Sequence, residues 1–271
     1  MATISKINGI DEDDISHHNG GAADLYTSKN GDTWQHVTYT AATGGTRTTV
    51  DTNYYLHTFN DTDDFVVSTA GDAGIDYLVI AGGGGGAQSD DGGGGGGAGG
   101  YRHATGQAVS ATTYTVTVGS GGAKGADARD TAGAIGNASS IGTLIVTTGG
   151  GRGGCEGGSG SQTAGDGGSG GGAASNSSGD QGDGVNDGGT FGTATYQGHD
   201  GGYGAAYTGG GGGGASVAGG NGVGGYTSSG VTGKGGNGSS ASAIDSTVRA
   251  GGGESGGHQN NNRGGVGTGG G

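Results

Sequence analysis

The sequence predicts a mainly β protein: a small N-terminal β portion is followed by a glycine-rich domain of packed polyglycine-II helices with interleaved strands. Three observations predict this fold class. Glycine supplies 80 of 271 residues while proline is absent. Hydrophobic residues make up 28 %, against about 45–50 % in ordinary domains, so side-chain burial alone cannot build the core. Essentially no α-helix is expected, because most candidate segments lack a 3.6-residue period and each interior glycine costs a helix about 1 kcal/mol.

Composition divides the chain into three regions. Eight glycines precede residue 81, which leaves 72 of the 80 for the rest of the chain. We therefore expect a β-rich domain over 22–80 and a glycine-rich polyglycine-II domain over 81–271. Residues 1–21 form a separate segment, in which Ile4-Ser5-Lys6-Ile7-Asn8-Gly9 recurs as Ile15-Ser16-His17-His18-Asn19-Gly20. Each copy ends in Asn-Gly, a pair that favours a tight turn.

Short runs of β-branched and aromatic residues predict the strands. The predicted strands are 34–40, 54–59, 64–68, 75–80, 114–118 and 141–147. Because Asn60-Asp61-Thr62-Asp63 separates the second strand from the third, we expect those two strands to pair as a hairpin.

The glycine runs have two physical interpretations. Gly/Ser-rich chains can be flexible linkers. Alternatively, the runs form polyglycine-II helices, which have three residues per turn and no internal hydrogen bonds. Their outward N–H and C=O groups then pair between neighbouring segments, and any side chain larger than Ala must face outward. Strands interleaved with the first runs favour the ordered interpretation.

Charge and motifs argue against several functions. The net charge of -14 leaves no basic stripe, so we expect no nucleic-acid binding. No apolar run approaches the roughly 20 residues of a membrane span, so no membrane insertion is expected. The histidines show no metal-ligand spacing, and Cys155 has no basic neighbour closer than Arg152. We therefore predict a protein that is not an enzyme, with no catalytic residues, no metal site and no cofactor.

A binding surface has better support, from aromatic side chains spaced through glycine. Tyrosine offers a rigid amphipathic surface that can stack on a sugar ring or fill a protein pocket. The candidate receptor-contact residues are Tyr196, His199, Tyr203, Tyr207 and Tyr226. The alternative interpretation is that these rings fill small gaps and form satellite clusters at the ends of the bundle.

Strands and glycine runs alternate from residue 77 to residue 118. The order is Tyr77-Leu78-Val79-Ile80-Ala81, Gly82–Gly86, Gly92–Gly97, Tyr101-Arg102 and Tyr114-Thr115-Val116-Thr117-Val118. This pattern resembles the glycine-rich domain of bacteriophage tail-fibre and other virion proteins. The start, Ile-Ser-Lys-Ile-Asn-Gly, is similar to the N-termini of structural proteins from tailed marine phages.

The resemblance implies a structural protein in an external appendage of the virion, a fibre or adhesin. Its N-terminal segment would attach to other virion structural proteins, and its glycine-rich loops would contact a host cell-surface glycan or protein. Fibres of this kind are often homo-oligomers, most commonly trimers. The residues implied in particle attachment are Ile4, Ile7, Asn8, Ile15 and Asn19.

Three other functions stay open. The first is a capsid-decoration or head-fibre protein that has no receptor role. The second is a polyglycine-II protein that binds ice, and the third is an enzyme that depolymerises host polysaccharide.

Overall fold

The computed structural model describes residues 39–50, 54–126, 130–156, 162–177, 179–187, 190–225 and 231–257, together with four short strands before residue 39. The ordered secondary structure in these residues is all β, with no helix. The strands are β1 (Lys6–Ile7), β2 (Ile10–Asp11), β3 (Asp24–Thr27), β4 (Gln35–Thr38), β5 (Ala41–Thr43), β6 (Thr46–Thr49), β7 (Tyr55–Thr58), β8 (Asp63–Thr69), β9 (Ile75–Ile80), β10 (Tyr101–Gln107), β11 (Thr113–Thr117), β12 (Ser139–Ile141) and β13 (Ile145–Thr147).

The strands form small antiparallel sheets. The largest has five strands in the order β13-β12-β11-β8-β5, and β1-β2, β3-β4, β6-β7 and β9-β10 pair in twos. Strand β8 alternates between buried and exposed residues, so that Phe65 and Val67 pack with Val116 of β11 on one face of the large sheet. A second cluster lies between the β9–β10 pair and β13, where Tyr77 and Val79 pack against Ile145, and Ile141 contacts both clusters.

Two sequence predictions about the strands are wrong in detail. The expected hairpin through 60–63 does not form, because β7 pairs with β6 while β8 pairs with β5 and β11. The single strand expected over 141–147 is instead a tight hairpin of β12 and β13. Gly142 interrupts it with φ +50°, and the Leu144 N–H donates to the Ile141 carbonyl at 3.0 Å.

Beyond Ile80 the chain runs back and forth in extended glycine-rich segments, which are linked to one another by backbone hydrogen bonds. These segments are 81–88, 93–100, 119–125, 131–138, 148–155, 162–168, 169–175, 180–185, 197–205, 208–215, 217–223, 231–238 and 250–257. Successive segments alternate in direction.

The hydrogen bonds of these segments repeat every third residue, as polyglycine-II geometry requires. In 93–100, the N–H groups of Gly94, Gly97 and Gly100 donate to the 148–155 segment. Those of Gly95 and Ala98 donate to 208–215. Each residue therefore faces the same neighbour as the residue three positions away, and the peptide groups of one segment are shared among several others.

The burial of the outer segments shows the same period. In 131–138, Gly133 and Gly136 are buried, while Ala134, Ile135 and Asn137 are exposed. The larger side chains of this outer segment therefore point out of the bundle. The bundle has two ends: at the sheet end the segments join β9–β13, and at the far end they are joined by turns such as 89–92 and 206–207.

Candidate functional site

An aromatic cluster fills the sheet end of the bundle. Tyr101, at the start of β10, is fully buried and stacks on Phe191 with ring centroids 5.5 Å apart. His103 contacts both of these rings. Phe191 in turn meets Tyr196 edge to face at 5.5 Å, and the Tyr196 hydroxyl lies 3.1 Å from His199 Nε2. These five rings join β10 to the loop that leads into the 197–205 segment.

Burial makes the two histidines of this cluster weaker bases. Desolvation lowers the pKa of His103, because the charged imidazolium loses its hydration. Desolvation also lowers the pKa of His199, although the negative charge of Asp200 opposes this shift. The arrangement therefore favours neutral rings and packing over proton transfer.

A second group of side chains lies at the far end of the bundle, and all of them are exposed except the half-buried Tyr207. We call it the tip patch, and its members are Tyr203, Ala206, Tyr207, Val223 and Val231. Tyr203, Val223 and Val231 are 45 %, 58 % and 44 % exposed. Val223 pairs with Val231, and the N–H of Gly222 donates to the Tyr203 carbonyl at 2.8 Å. The N–H of Gly225 donates to the carbonyl of Ala206 at 3.1 Å, so two backbone hydrogen bonds join residues 222–225 to residues 203–206.

The backbone of Tyr207 is held in an unfavourable conformation within this patch. Ala205 and Thr208 exchange both of their backbone hydrogen bonds, at 2.8 and 3.0 Å, so that Ala206 and Tyr207 form a two-residue turn. Tyr207 has φ +62°, a region that a bulky residue rarely adopts. Strained residues of this kind concentrate at ligand-contacting positions in proteins.

Acidic side chains gather on one outer face of the bundle without forming a catalytic arrangement. Asp166 Oδ1 accepts from the Asp183 N–H at 2.9 Å, and Asp200 Oδ1 accepts from the Gly184 N–H and Asn186 Nδ2, both at 2.8 Å. Burial raises the pKa of Asp183, and the charges of Asp200 and Asp166 add to the effect. Within the part of the chain that the structure describes, no three His, Cys, Asp or Glu side chains are grouped to hold a metal ion.

The structure separates the tyrosines that the sequence grouped together. Tyr196 and His199 belong to the aromatic cluster at the sheet end, whereas Tyr203 and Tyr207 belong to the tip patch. At about 3.1 Å per residue of polyglycine-II helix, the seven steps from Tyr196 to Tyr203 span about 22 Å, so these two tyrosines cannot belong to one small site. Tyr226 lies outside the described residues.

Of the residues predicted to attach the protein to a particle, Ile7 lies in β1. Ile4, Asn8, Ile15 and Asn19 lie outside the described residues.

Sequence reasoning missed several members of both groups. Tyr101 and His103 lie more than 90 positions before Tyr196, and their local sequence does not predict that they join the same aromatic cluster. Val223 and Val231 are isolated valines among glycines. The available signal is that a bulky side chain does not fit between close-packed glycine segments, so a valine or tyrosine among glycines indicates an exposed position or the end of a segment.

The fold and these two groups define a class: all-β proteins that carry a glycine-rich domain as an ordered bundle. The family model of the glycine-rich domain matches residues 60–271, and the chain belongs to this family. No protein with a curated description matches the chain, and no solved structure matches it.

The match begins before the first glycine segment and includes β8 and β9, so the strands next to the bundle are part of the family's domain. Among the residues that the structure describes, no helix is long and apolar enough to cross a membrane.

Proposed function

We propose that this chain is a structural, non-enzymatic virion protein of a tailed phage, a fibre or adhesin in an external appendage. It attaches through residues 1–21 to other virion structural proteins and presents its glycine-rich loops to the host surface. The observation that carries this proposal is the tip patch, which displays aromatic and apolar side chains at the end of a bundle tied together by its backbone.

The chemistry of the tip patch suits a cell-surface glycan or protein. The exposed ring of Tyr203 provides an apolar face with a polar edge, which loses little conformational entropy on binding. Asn221 lies beside it, since its Oδ1 accepts from the Tyr203 N–H at 2.9 Å. Its amide NH₂ group could donate to a sugar hydroxyl or a peptide carbonyl.

A rigid support should increase the affinity of such a surface for its partner. A contact residue that is already ordered loses less entropy when it binds its partner. The backbone bonds on either side of the patch, from Gly222 to Tyr203 and from Gly225 to Ala206, fix its turns to the bundle. Assembly as a homo-oligomer, such as a trimer, would multiply these surfaces and raise avidity.

The binding role is tested with the double variant Tyr203→Ala, Tyr207→Gly, in which glycine suits the positive φ of Tyr207. We expect attachment to host cells to fall while the melting temperature stays within a few degrees of the parent protein. Tyr54→Ala, which removes a tyrosine 62 % exposed outside the bundle, is the matched control and should leave attachment unchanged. Unchanged attachment of the double variant would contradict the proposal.

The position on the particle is tested by labelling virions with gold-conjugated antibody against the glycine-rich domain. Label on tail appendages supports the proposal. Label on heads, together with host attachment that does not depend on the tip patch, would instead favour a capsid-decoration or head-fibre protein.

A further inference from the structure

The β6–β7 hairpin is a two-stranded sheet of its own. Its base is held to the core, because His57 Nδ1 lies 2.8 Å from the Gly44 carbonyl oxygen and the His57 ring meets Phe65 edge to face at 5.5 Å. Further along the hairpin, all four residues of β6 are exposed, and the next residue, Val50, is 64 % exposed. A two-stranded hairpin is marginally stable by itself, so a further strand would stabilise this one.

The register of the hairpin fixes which backbone groups of β6 point outward. Val50 and Tyr54 form a hydrogen-bonded pair next to the end of the strand, since the Val50 N–H donates to the Tyr54 carbonyl at 3.0 Å. Hydrogen-bonded and non-hydrogen-bonded pairs alternate along an antiparallel ladder. Thr48 is therefore hydrogen-bonded to β7, whereas the N–H and C=O groups of Arg47 and Thr49 point away from β7, towards the exposed edge of β6.

This edge has little of the protection that edge strands usually carry. Natural edge strands are blocked by charged side chains, proline or bulges, and of these β6 has only the charge of Arg47. The Arg47 guanidinium lies 4.2 Å from the centre of the Tyr55 ring on β7, so its charge is held over the hairpin. The other residues of β6, Thr46, Thr48 and Thr49, are β-branched and favour pairing in a sheet.

Charge makes this edge a place where two copies of the chain can meet with little repulsion. Each chain carries a net charge of -14, which opposes contact between copies over most of their surface. Arg47 is the only Lys, Arg, Asp or Glu in residues 33–50, and residues 54–60 contain none. An antiparallel edge is also its own complement, since a two-fold axis presents the same groups in reverse order.

We propose that β6 pairs with β6 of a second copy in an antiparallel dimer, so that the two hairpins form one continuous sheet. The two-fold axis passes between Thr48 of one copy and Thr48 of the other. Arg47 of each copy then exchanges both backbone hydrogen bonds with Thr49 of the other, which uses every outward-pointing group of the strand. An axis at Arg47 would instead place two arginines opposite each other, which is destabilising.

The side chains on one face of the hairpin suit this register. Thr48 lies opposite the half-buried Leu56 of β7, so the dimer places both Thr48 side chains in one row between the two Leu56 side chains. On the same face, Val50 of each copy lies opposite Thr46 of the other. Cross-strand pairs of β-branched residues stabilise a sheet. The dimer does not depend on a virion role, although it would carry two tip patches.

Cysteine cross-linking tests the register. Residues opposite each other in a non-hydrogen-bonded pair have Cα atoms about 4.5 Å apart, within disulfide range, whereas residues offset by two positions are about 7–8 Å apart. We therefore expect Thr48→Cys to form an intermolecular disulfide in air at least about tenfold faster than the matched variant Thr49→Cys. The parent protein, in which the only cysteine, Cys155, is buried, gives the background. Equal rates, or faster cross-linking by Thr49→Cys, would overturn the proposal.

A proline tests the outward hydrogen bonds. The N–H of Thr49 points away from β7, so Thr49→Pro removes a donor of the dimer and none of the hairpin, and edge strands tolerate proline at such positions. By analytical ultracentrifugation we expect the parent protein and Thr49→Val to form dimers. Thr49→Pro, with an unchanged circular dichroism spectrum, should dimerise at least about tenfold more weakly.

Two results of the ultracentrifugation would overturn the proposal. One is a parent protein that stays monomeric up to the highest soluble concentration, which would leave the edge to a different partner. The other is an oligomer that Thr49→Pro does not weaken, such as a trimer held together by another surface.

Discussion

At the scale of single residues, the closest packing in this protein is between backbones. A Cβ added at Gly94 would overlap the carbonyl of Gly172, and one added at Gly212 would overlap that of Gly96. Both obstacles are backbone atoms of other segments, which cannot rotate away as a side chain can. The absence of a side chain is therefore the property that these positions require.

Gly94→Ala should destabilise the protein by at least about 3 kcal/mol, since overpacking a rigid interior costs about 1–3 kcal/mol even where side chains can adjust. Gly121→Ala should change stability by less than about 0.5 kcal/mol, as surface substitutions usually do, because Gly121 is exposed and its nearest obstacle is the Gly83 carbonyl at 3.5 Å. Urea unfolding followed by circular dichroism measures both. Similar midpoints for the two variants would argue against a close-packed bundle.

The histidines of the aromatic cluster should make the stability of the fold depend on pH. Their pKa values in the folded protein lie below the usual 6.5, so the unfolded chain binds more protons between those values and pH 6.5. Stability should therefore fall as pH drops below about 6.5. The melting temperature of the double variant His103→Asn, His199→Asn should fall less between pH 7.5 and 5.5 than that of the parent. An equal fall in both proteins would show that other groups are responsible.

At the scale of elements, the sequence predicted strands where alternation is strong. Strand β9 (Ile75–Ile80) has the same bounds as the predicted strand 75–80. Strand β11 (Thr113–Thr117) agrees with the predicted 114–118 to within one residue. Strand β10 was not predicted, because Tyr101–Gln107 contains Ala, Gly and polar residues with little alternation. Its partner β9 and the ring of Phe191, which contacts Tyr101 and His103 of this strand, stabilise it through contacts that a local pattern does not contain.

The glycine segments could be predicted as a class but not placed one by one. A period of three is visible only where larger residues mark it, as at Val231, Lys234 and Asn237, which are separated by mostly buried residues. Where nearly every residue is glycine, the sequence gives no register. The candidate contact residues illustrate the same limit, since the spacing of Tyr196 and Tyr203 does not reveal that they lie towards opposite ends of one segment.

At the scale of the whole molecule, folding buries an unusually large surface of polar peptide groups relative to the surface of apolar side chains. The described core consists of small clusters, such as Phe65, Val67 and Val116, beside a much larger bundle of glycine segments. Burial of apolar surface raises the heat capacity change of unfolding, whereas burial of polar surface lowers it. The thermal behaviour of this protein should differ accordingly from that of ordinary domains.

The heat capacity change of unfolding should lie well below the average. For 271 residues, typical values of about 12–15 cal/mol/K per residue give about 3–4 kcal/mol/K. We expect less than about two-thirds of that value by differential scanning calorimetry, with a stability curve that is correspondingly flat. A value within the ordinary range would mean that side-chain burial contributes far more than the described clusters suggest.

The three-residue repeat of the hydrogen bonds restricts how such a chain can change in length. One residue inserted within a buried segment would turn all later residues of that segment by a third of a revolution, so that side chains meant for solvent would point inward. Three inserted residues would restore the orientation and only lengthen the helix. Turns at the far end carry no such restriction. They can gain or lose single residues during evolution without changing the orientation of the residues in the bundle.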